Sequence, residues 1–128
     1  MKFLLDTHFI LWLPIGGRGI SKNVRALLNN SANEFAFSVA SLWEIDLKRA
    51  RHRGTFAFDT REIRKQMIEN GYEELPILGQ HVLGVDALAP IHKDPFDRLL
   101  IAQAVVEGMT LLTVDATIAR YPGPIRKV

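Results

Sequence analysis

The stretch KFLLDTHFILWL (residues 2–13) decides the fold. A short apolar run meets a carboxylate at Asp6, and the apolar run then resumes. The first half reads as a short buried strand, and THFILWL reads as the lead-in to a helix. The pattern recurs near the other end of the chain, in MTLLTVDATI (109–118), where Asp115 follows a second apolar run. Neither run alternates with polar residues. Strands of that kind are buried on both faces, as in a parallel sheet covered by helices.

Between these two stretches, strand and helix signals take turns. SKNVRALLNN (21–30) reads as a helix with Ser21 as its N-cap, and EFAFS (34–38) alternates like a strand. VASLWEIDLKRARHRG (39–54) reads as a helix ending near Gly54. DTREIRKQMIENG (59–71) is a helix with capping residues at its start and an Asn-Gly stop. YEELPI (72–77) is a short strand, and GQHVLGVDAL (79–88) reads as a helix despite its two glycines. DPFDRLLIAQAVVEG (94–108) is the clearest helix, with Asp94 as N-cap, Pro95 at the first helical position and Gly108 just past the end. ATIARY (116–121) reads as a last short helix. The alternation predicts one α/β domain over residues 1–128, a three-layer α/β/α sandwich around a mainly parallel sheet. Such sheets bind ligands at the carboxyl ends of their strands, where Asp6 and Asp115 fall.

Composition narrows the function. The chain has 128 residues, 48% of them hydrophobic, which suits a compact fold with its own core. It has no cysteine, so disulfides, thiolate zinc sites and thiol catalysis are excluded. The net charge of +2 is small, and the pI of about 9.2 is compatible with a nucleic-acid partner without announcing one. No apolar run is long enough to span a membrane, and Asp6 interrupts the place where a signal peptide keeps its apolar segment. The expectation is a soluble cytoplasmic protein without membrane association.

Four acidic residues stand out. Asp6 and Asp115 each follow a strand, and each reads equally as the N-cap of the next helix. Glu44 lies in SLWEI (41–45), where SLWE fits a capping box and Lys48 follows four residues later as an ion-pair partner. It also sits between Trp43 and Ile45 in an apolar turn, whereas Asp46 faces elsewhere. Asp97 shares a helix end with Asp94. Asp94 already supplies the cap, and Asp97 aligns with Ile101 and Ala104 on the inward face. The sequence does not choose between Asp94 and Asp97.

Taken together, Asp6, Glu44, Asp97 and Asp115 form a candidate cluster at one edge of the sheet. Carboxylates at close range repel one another and raise each other's pKa, and a divalent cation relieves the repulsion. Oxygen ligands favour Mg²⁺ or Mn²⁺ over zinc. His8 and His92 lack a partner at metal-site spacing and read as polar neighbours. Such a site suits phosphodiester hydrolysis by water, with one or two cations stabilising the phosphate.

These residues carry a family likeness. LLDTH, SLWEI, HKDPFDRLLIAQA, EGMTLLTVD and ARY together resemble PIN-domain ribonucleases, and in particular the VapC toxins of toxin–antitoxin pairs. The likeness runs from Met1 to about Tyr121. It implies an Mg²⁺- or Mn²⁺-dependent endoribonuclease with Asp6, Glu44, Asp97 and Asp115 as the catalytic, metal-binding carboxylates. Thr7 and Thr113 match family hydroxyl positions beside the site. The likeness further implies an RNA substrate (tRNA or rRNA), a VapB-like antitoxin that blocks the site, and a homodimer. Val114 stands where many relatives carry a polar or basic residue, and LKRARHRG is unusually basic.

Two alternatives accompany this reading: an RNA-processing PIN nuclease without an antitoxin, and a silent PIN module that only binds RNA or protein. All four acidic positions are filled, which disfavours the silent module. The basic cluster of Lys48, Arg49, Arg51 and Arg53 reads either as a solvated helix face or as a grip on the RNA backbone, with Lys48, Arg49 and Arg98 as candidate phosphate contacts. Phe9, Leu11, Trp12, Leu42 and Trp43 read mostly as core, with some left for a partner surface.

Overall fold

The computed structural model describes residues 1–51 and 59–128. The first strand, β1 (Lys2–Leu5), runs into α1 (Thr7–Trp12), and α2 (Lys22–Asn29) follows. Then come β2 (Glu34–Ser38), α3 (Val39–Arg51), α4 (Thr60–Glu69), β3 (Glu73–Leu75) and α5 (Gly79–Gly84). The last elements are α6 (Pro95–Glu107), β4 (Thr110–Thr113) and β5 (Ile125–Lys127), with a 3₁₀ turn at Ile118–Arg120 between the two strands. The expected end of α3 near Gly54, and Arg53 of the basic cluster, lie outside the described residues.

The strands form one five-stranded sheet in the order β3-β2-β1-β4-β5. Every neighbouring pair is parallel, with Leu4 opposite both Ala36 and Leu111. The strand order reverses between β1 and β4, and a crevice opens beyond the carboxyl ends of strands at such a switch point. β1 delivers Asp6 there, and β4 delivers Asp115.

The pleat sorts the core into two halves. Phe3, Leu5, Phe37 and Leu112 point to one face and pack with Phe9 and Ile10 of α1, Val24 of α2, Ile45 of α3 and Ile63 and Met67 of α4. Leu4, Ala36, Leu75 and Leu111 point to the other and pack with Leu100, Ile101 and Ala104 of α6. These are the two outer layers of the expected sandwich. Burial on both faces explains the apolar strands. It also corrects the reading of β2 as alternating: burial rises along it, from exposed Glu34 to fully buried Ala36, Phe37 and Ser38.

Helix ends follow local chemistry. The Asp94 side chain accepts from the backbone N–H groups of Phe96 and Asp97 at 2.9 and 3.1 Å, and Pro95 follows as the first helical residue. At the far end Gly108 closes α6 with a positive φ of 67°, which a side chain would strain. β5 was not visible in the sequence. It is three residues long, and its Arg126 and Lys127 are exposed at the sheet edge. ATIARY forms the 3₁₀ turn in place of a regular helix. Among the described residues, no helix is long and apolar enough to cross a membrane.

Candidate metal centre

Asp6 is almost fully buried, and every oxygen it presents is engaged. Oδ1 accepts from the His8 N–H at 2.9 Å, which caps α1. Oδ2 accepts from the Thr113 hydroxyl at 2.5 Å and the Val114 N–H at 3.2 Å. Thr113 Oγ1 accepts in turn from the Asp115 N–H at 3.0 Å, so one hydroxyl links the two strand-end aspartates. Asp115 Oδ1 accepts from the N–H groups of Thr117 and Ile118. The capping and cluster readings of Asp6 and Asp115 are therefore compatible, because each oxygen keeps further lone pairs.

Glu44 is the second buried carboxylate, and its expected capping box is absent. α3 starts directly from β2 with the Ser38 hydroxyl accepting from the Ala40 N–H at 3.0 Å, which puts Ser41 inside the helix. Thr7 Oγ1 lies 2.7 Å from Glu44 Oε1 and 3.0 Å from Ser41 Oγ. A hydroxyl carries one proton, and the shorter contact to a carboxylate takes it. The other oxygen, Oε2, meets the Lys48 ammonium at 3.1 Å. Asp46 faces away, accepting from the Thr60 hydroxyl at 3.0 Å.

At the start of α6 the two aspartates have different partners. Asp94 is engaged in capping, and Asp97 turns inward, where its Oδ2 meets His92 Nε2 at 2.8 Å. Burial pushes the Asp97 carboxyl up to about 6, the charges of Asp94 and Glu44 add to the rise, and His92 opposes it. His8 moves upward as well, because its ring hydrogen-bonds Asp6, while partial burial opposes the shift.

Among the described residues, His92, Asp97 and Asp115 bring one ligand atom each within 4.8 Å of one another. Asp6 and Glu44 stand outside that set, tied to it through Thr113 and through the field that Glu44 exerts on Asp97. Opposed ligands of an octahedral Mg²⁺ lie roughly 4 Å apart, so the Asp97 and Asp115 carboxylates of this set are within reach of one small cation after a slight contraction. Mostly carboxylate donors, and a carboxyl driven upward by burial and by neighbouring charge, are the chemistry such an ion neutralises.

The sequence matches the PIN-domain profile over residues 3–124. The chain belongs to the PIN-domain family. Solved structures similar to this PIN domain include VapBC2 from Rickettsia felis bound to a DNA fragment from their promoter, at 18% identity and a TM-score of 0.71, covering 100% of this chain and 99% of that chain. DNA-bound VapBC from Salmonella typhimurium matches at 18% identity and a TM-score of 0.71, over 99% and 98% of the two chains. VapBC-5 from Mycobacterium tuberculosis matches at 18% identity and a TM-score of 0.57, over 99% and 97%. No curated protein matches the sequence at a significant level. PIN-family membership makes this a nuclease fold, and the solved likenesses carry the fold.

Two further groups of residues singled out in the sequence are placed by the structure. Arg98, a candidate phosphate contact, donates to the backbone oxygens of Ala89 and Val85 at 3.0 and 3.2 Å and to the Tyr121 hydroxyl at 3.0 Å. Its guanidinium is a brace within the fold. Phe9 is core, Leu11, Trp12 and Leu42 are half-buried against the same core, and Trp43 is 57% exposed with its ring edge-to-face against Phe96.

A buried polar chain was missed altogether. The Ser38 hydroxyl donates to Gln103 Oε1 at 2.5 Å, and the Gln103 amide reaches the Pro76 carbonyl at 3.3 Å. His81, also buried, meets Glu107 at 2.8 Å. The Ser38–Gln103 bond ties the start of α3, which carries Glu44, to α6, which carries Asp97, and the His81–Glu107 contact ties α5 to the same helix. The signal was Gln103 itself, a polar residue inside the apolar run LLIAQA.

Proposed function

We propose that this PIN domain is a divalent-metal-dependent endoribonuclease and the toxin of a VapBC-type toxin–antitoxin pair. The observation that carries the reading is the approach of Asp97 and Asp115 at the switch point of a parallel sheet, with buried Asp6 and Glu44 held beside them by threonine hydroxyls. Four carboxylates in one crevice are costly without a cation. Asp6, Glu44, Asp97 and Asp115 are the residues that would hold Mg²⁺ or Mn²⁺. When bound, the ion neutralises charge on the scissile phosphate and makes water a stronger nucleophile at neutral pH.

The chain's own residues supply the rest. Thr113 and Thr7 fix the rotamers of Asp6 and Glu44, so the ligands are in place before substrate arrives. Lys48, paired with Glu44, stands on the α3 face beside the crevice, whereas Arg49, within 4.0 Å of Asp46 and Asp59, lies on the α3 face that carries Asp46. They can exchange those partners for RNA phosphates. The substrate class is a structured cellular RNA, tRNA or rRNA.

The VapBC complexes among the similar structures support a VapB-like antitoxin as partner and favour the toxin reading over an RNA-processing nuclease without one. Exposed Trp43, next to Glu44 in the chain, offers such a partner an apolar contact at the crevice. The assembly is a homodimer acting in the cytoplasm.

The test is cleavage of labelled total tRNA and rRNA by the purified protein with Mg²⁺, with Mn²⁺ and with EDTA, beside Asp6→Asn. Cleavage that needs the metal and is lost in the variant is the expected result. Cleavage that survives in EDTA or in Asp6→Asn overturns the assignment.

A further inference from the structure

His92 lies at ligand distance from Asp97 and Asp115, yet the hydrogen bonds around its ring argue against metal ligation. Its Nδ1 accepts from the Lys93 N–H at 3.1 Å. A backbone amide can only donate, so Nδ1 presents a lone pair and the neutral ring carries its proton on Nε2. That Nε2–H points at Asp97 Oδ2, 2.8 Å away. Turning the ring over would put a carbon against each partner and lose both contacts. A histidine that binds a metal through one nitrogen hands the N–H of the other to an acceptor. Here the other nitrogen faces a donor.

The backbone around His92 is held independently of the ring. Its N–H donates to the buried Tyr121 hydroxyl at 2.7 Å, and Arg98 donates to the same hydroxyl at 3.0 Å. Arg98 follows Asp97 on α6, so the brace fixes the His92 loop to the helix that carries the carboxylate.

Resting on the metal-site reading above, we infer that His92 is a positioning residue rather than a ligand. It donates from Nε2 to Asp97 Oδ2, orients that carboxylate and leaves the remaining Asp97 lone pairs to the cation. The side chains that would hold the cation are then the carboxylates of Asp97 and Asp115 with Asp6 and Glu44, and not the imidazole.

Three measurements decide the point. In metal-free, ¹⁵N-labelled protein at neutral pH, long-range ¹H–¹⁵N spectra show His92 as the Nε2–H tautomer. Pulsed electron paramagnetic resonance of the Mn²⁺-loaded wild type shows no directly bound ¹⁴N. Calorimetric Mn²⁺ affinity falls about 10- to 100-fold in His92→Leu, whereas His92→Gln, whose amide nitrogen reaches the former Nε2 position, retains most of it. An Nδ1–H tautomer, or a directly bound ¹⁴N that vanishes in His92→Gln, overturns the inference. Unchanged Mn²⁺ affinity in His92→Leu overturns it alone and leaves the metal site standing. A wild type that takes up no Mn²⁺ sinks the metal-site reading and this role together.

Discussion

Asp97 concentrates the electrostatic tension of the site. Its carboxyl is raised to about 6 by burial and by the charges of Asp94 and Glu44. A carboxyl with a raised folded-state pKa binds more protons folded than unfolded between about 4 and 6, so metal-free stability declines as pH rises through that window. At neutral pH Asp97 is therefore a destabilising charge until a cation compensates it. Asp97→Asn is expected to raise the Tm of the metal-free protein at pH 7 and to abolish most of the Tm gain from added Mn²⁺. Thermal melts with and without the ion, at pH 5 and 7, check both. For the wild type, Mn²⁺ affinity is expected to weaken as pH falls through about 6, because protons compete for this carboxylate; calorimetry across that range checks it.

Thr113 acts at the same scale. Its hydroxyl donates to Asp6 and accepts from the Asp115 N–H, both at buried or half-buried positions. Thr113→Val keeps the shape and removes both bonds, leaving a buried carboxylate oxygen short of a donor. The expected cost is about 1–3 kcal/mol in denaturant melts, with a fall in Mn²⁺ affinity of about 10- to 100-fold. Loss of stability at unchanged affinity would mean that Thr113 serves the fold and not the ligands.

At the scale of elements, the start of α6 both ends a loop and presents Asp97, a proposed metal ligand. Asp94 satisfies the amides of Phe96 and Asp97 themselves. Asp94→Ala is expected to cost about 1 kcal/mol of stability and to weaken Mn²⁺ binding through the loosened first turn. Asp94→Asn, which still caps, restores both. The basic end of α3 makes a different prediction. If Lys48 and Arg49 leave their carboxylate partners for RNA phosphates, replacing both with Ala lowers the slope of log K against log salt by about 1.4, since each contact on a single strand contributes about 0.7. A titration series in KCl reads this, and an unchanged slope would remove both residues from the RNA interface.

For the whole molecule, the site exists because two distant parts of the chain meet as adjacent parallel strands. Leu4 and Leu111 are register partners across β1 and β4, and both are fully buried. Leu111→Ala opens a cavity between α6 and the strands that carry Asp6 and Thr113, at an expected cost of about 2–5 kcal/mol in urea unfolding.

The sequence by itself determined the layer architecture, because runs such as FLL and TLLT have no polar face and must be covered on both sides. It also determined the boundaries of α6, where Asp94, Pro95 and Gly108 are local signals, and it singled out the four carboxylates. What it left open was settled by contacts between residues far apart in the chain. Whether Glu44 caps its own helix or faces Thr7 depends on α1 packing beside α3. Whether Arg98 faces solvent or Tyr121 depends on how the loop before α6 folds back. His92 becomes the closest partner of Asp97 only when that loop is braced, and β5 is a strand only because β4 offers it an edge. Local chemistry writes caps and burial into a sequence at fixed spacing. Hydrogen-bond partners separated by a hundred residues, as Asp6 and Thr113 are, leave no such spacing, and only tertiary structure decides them.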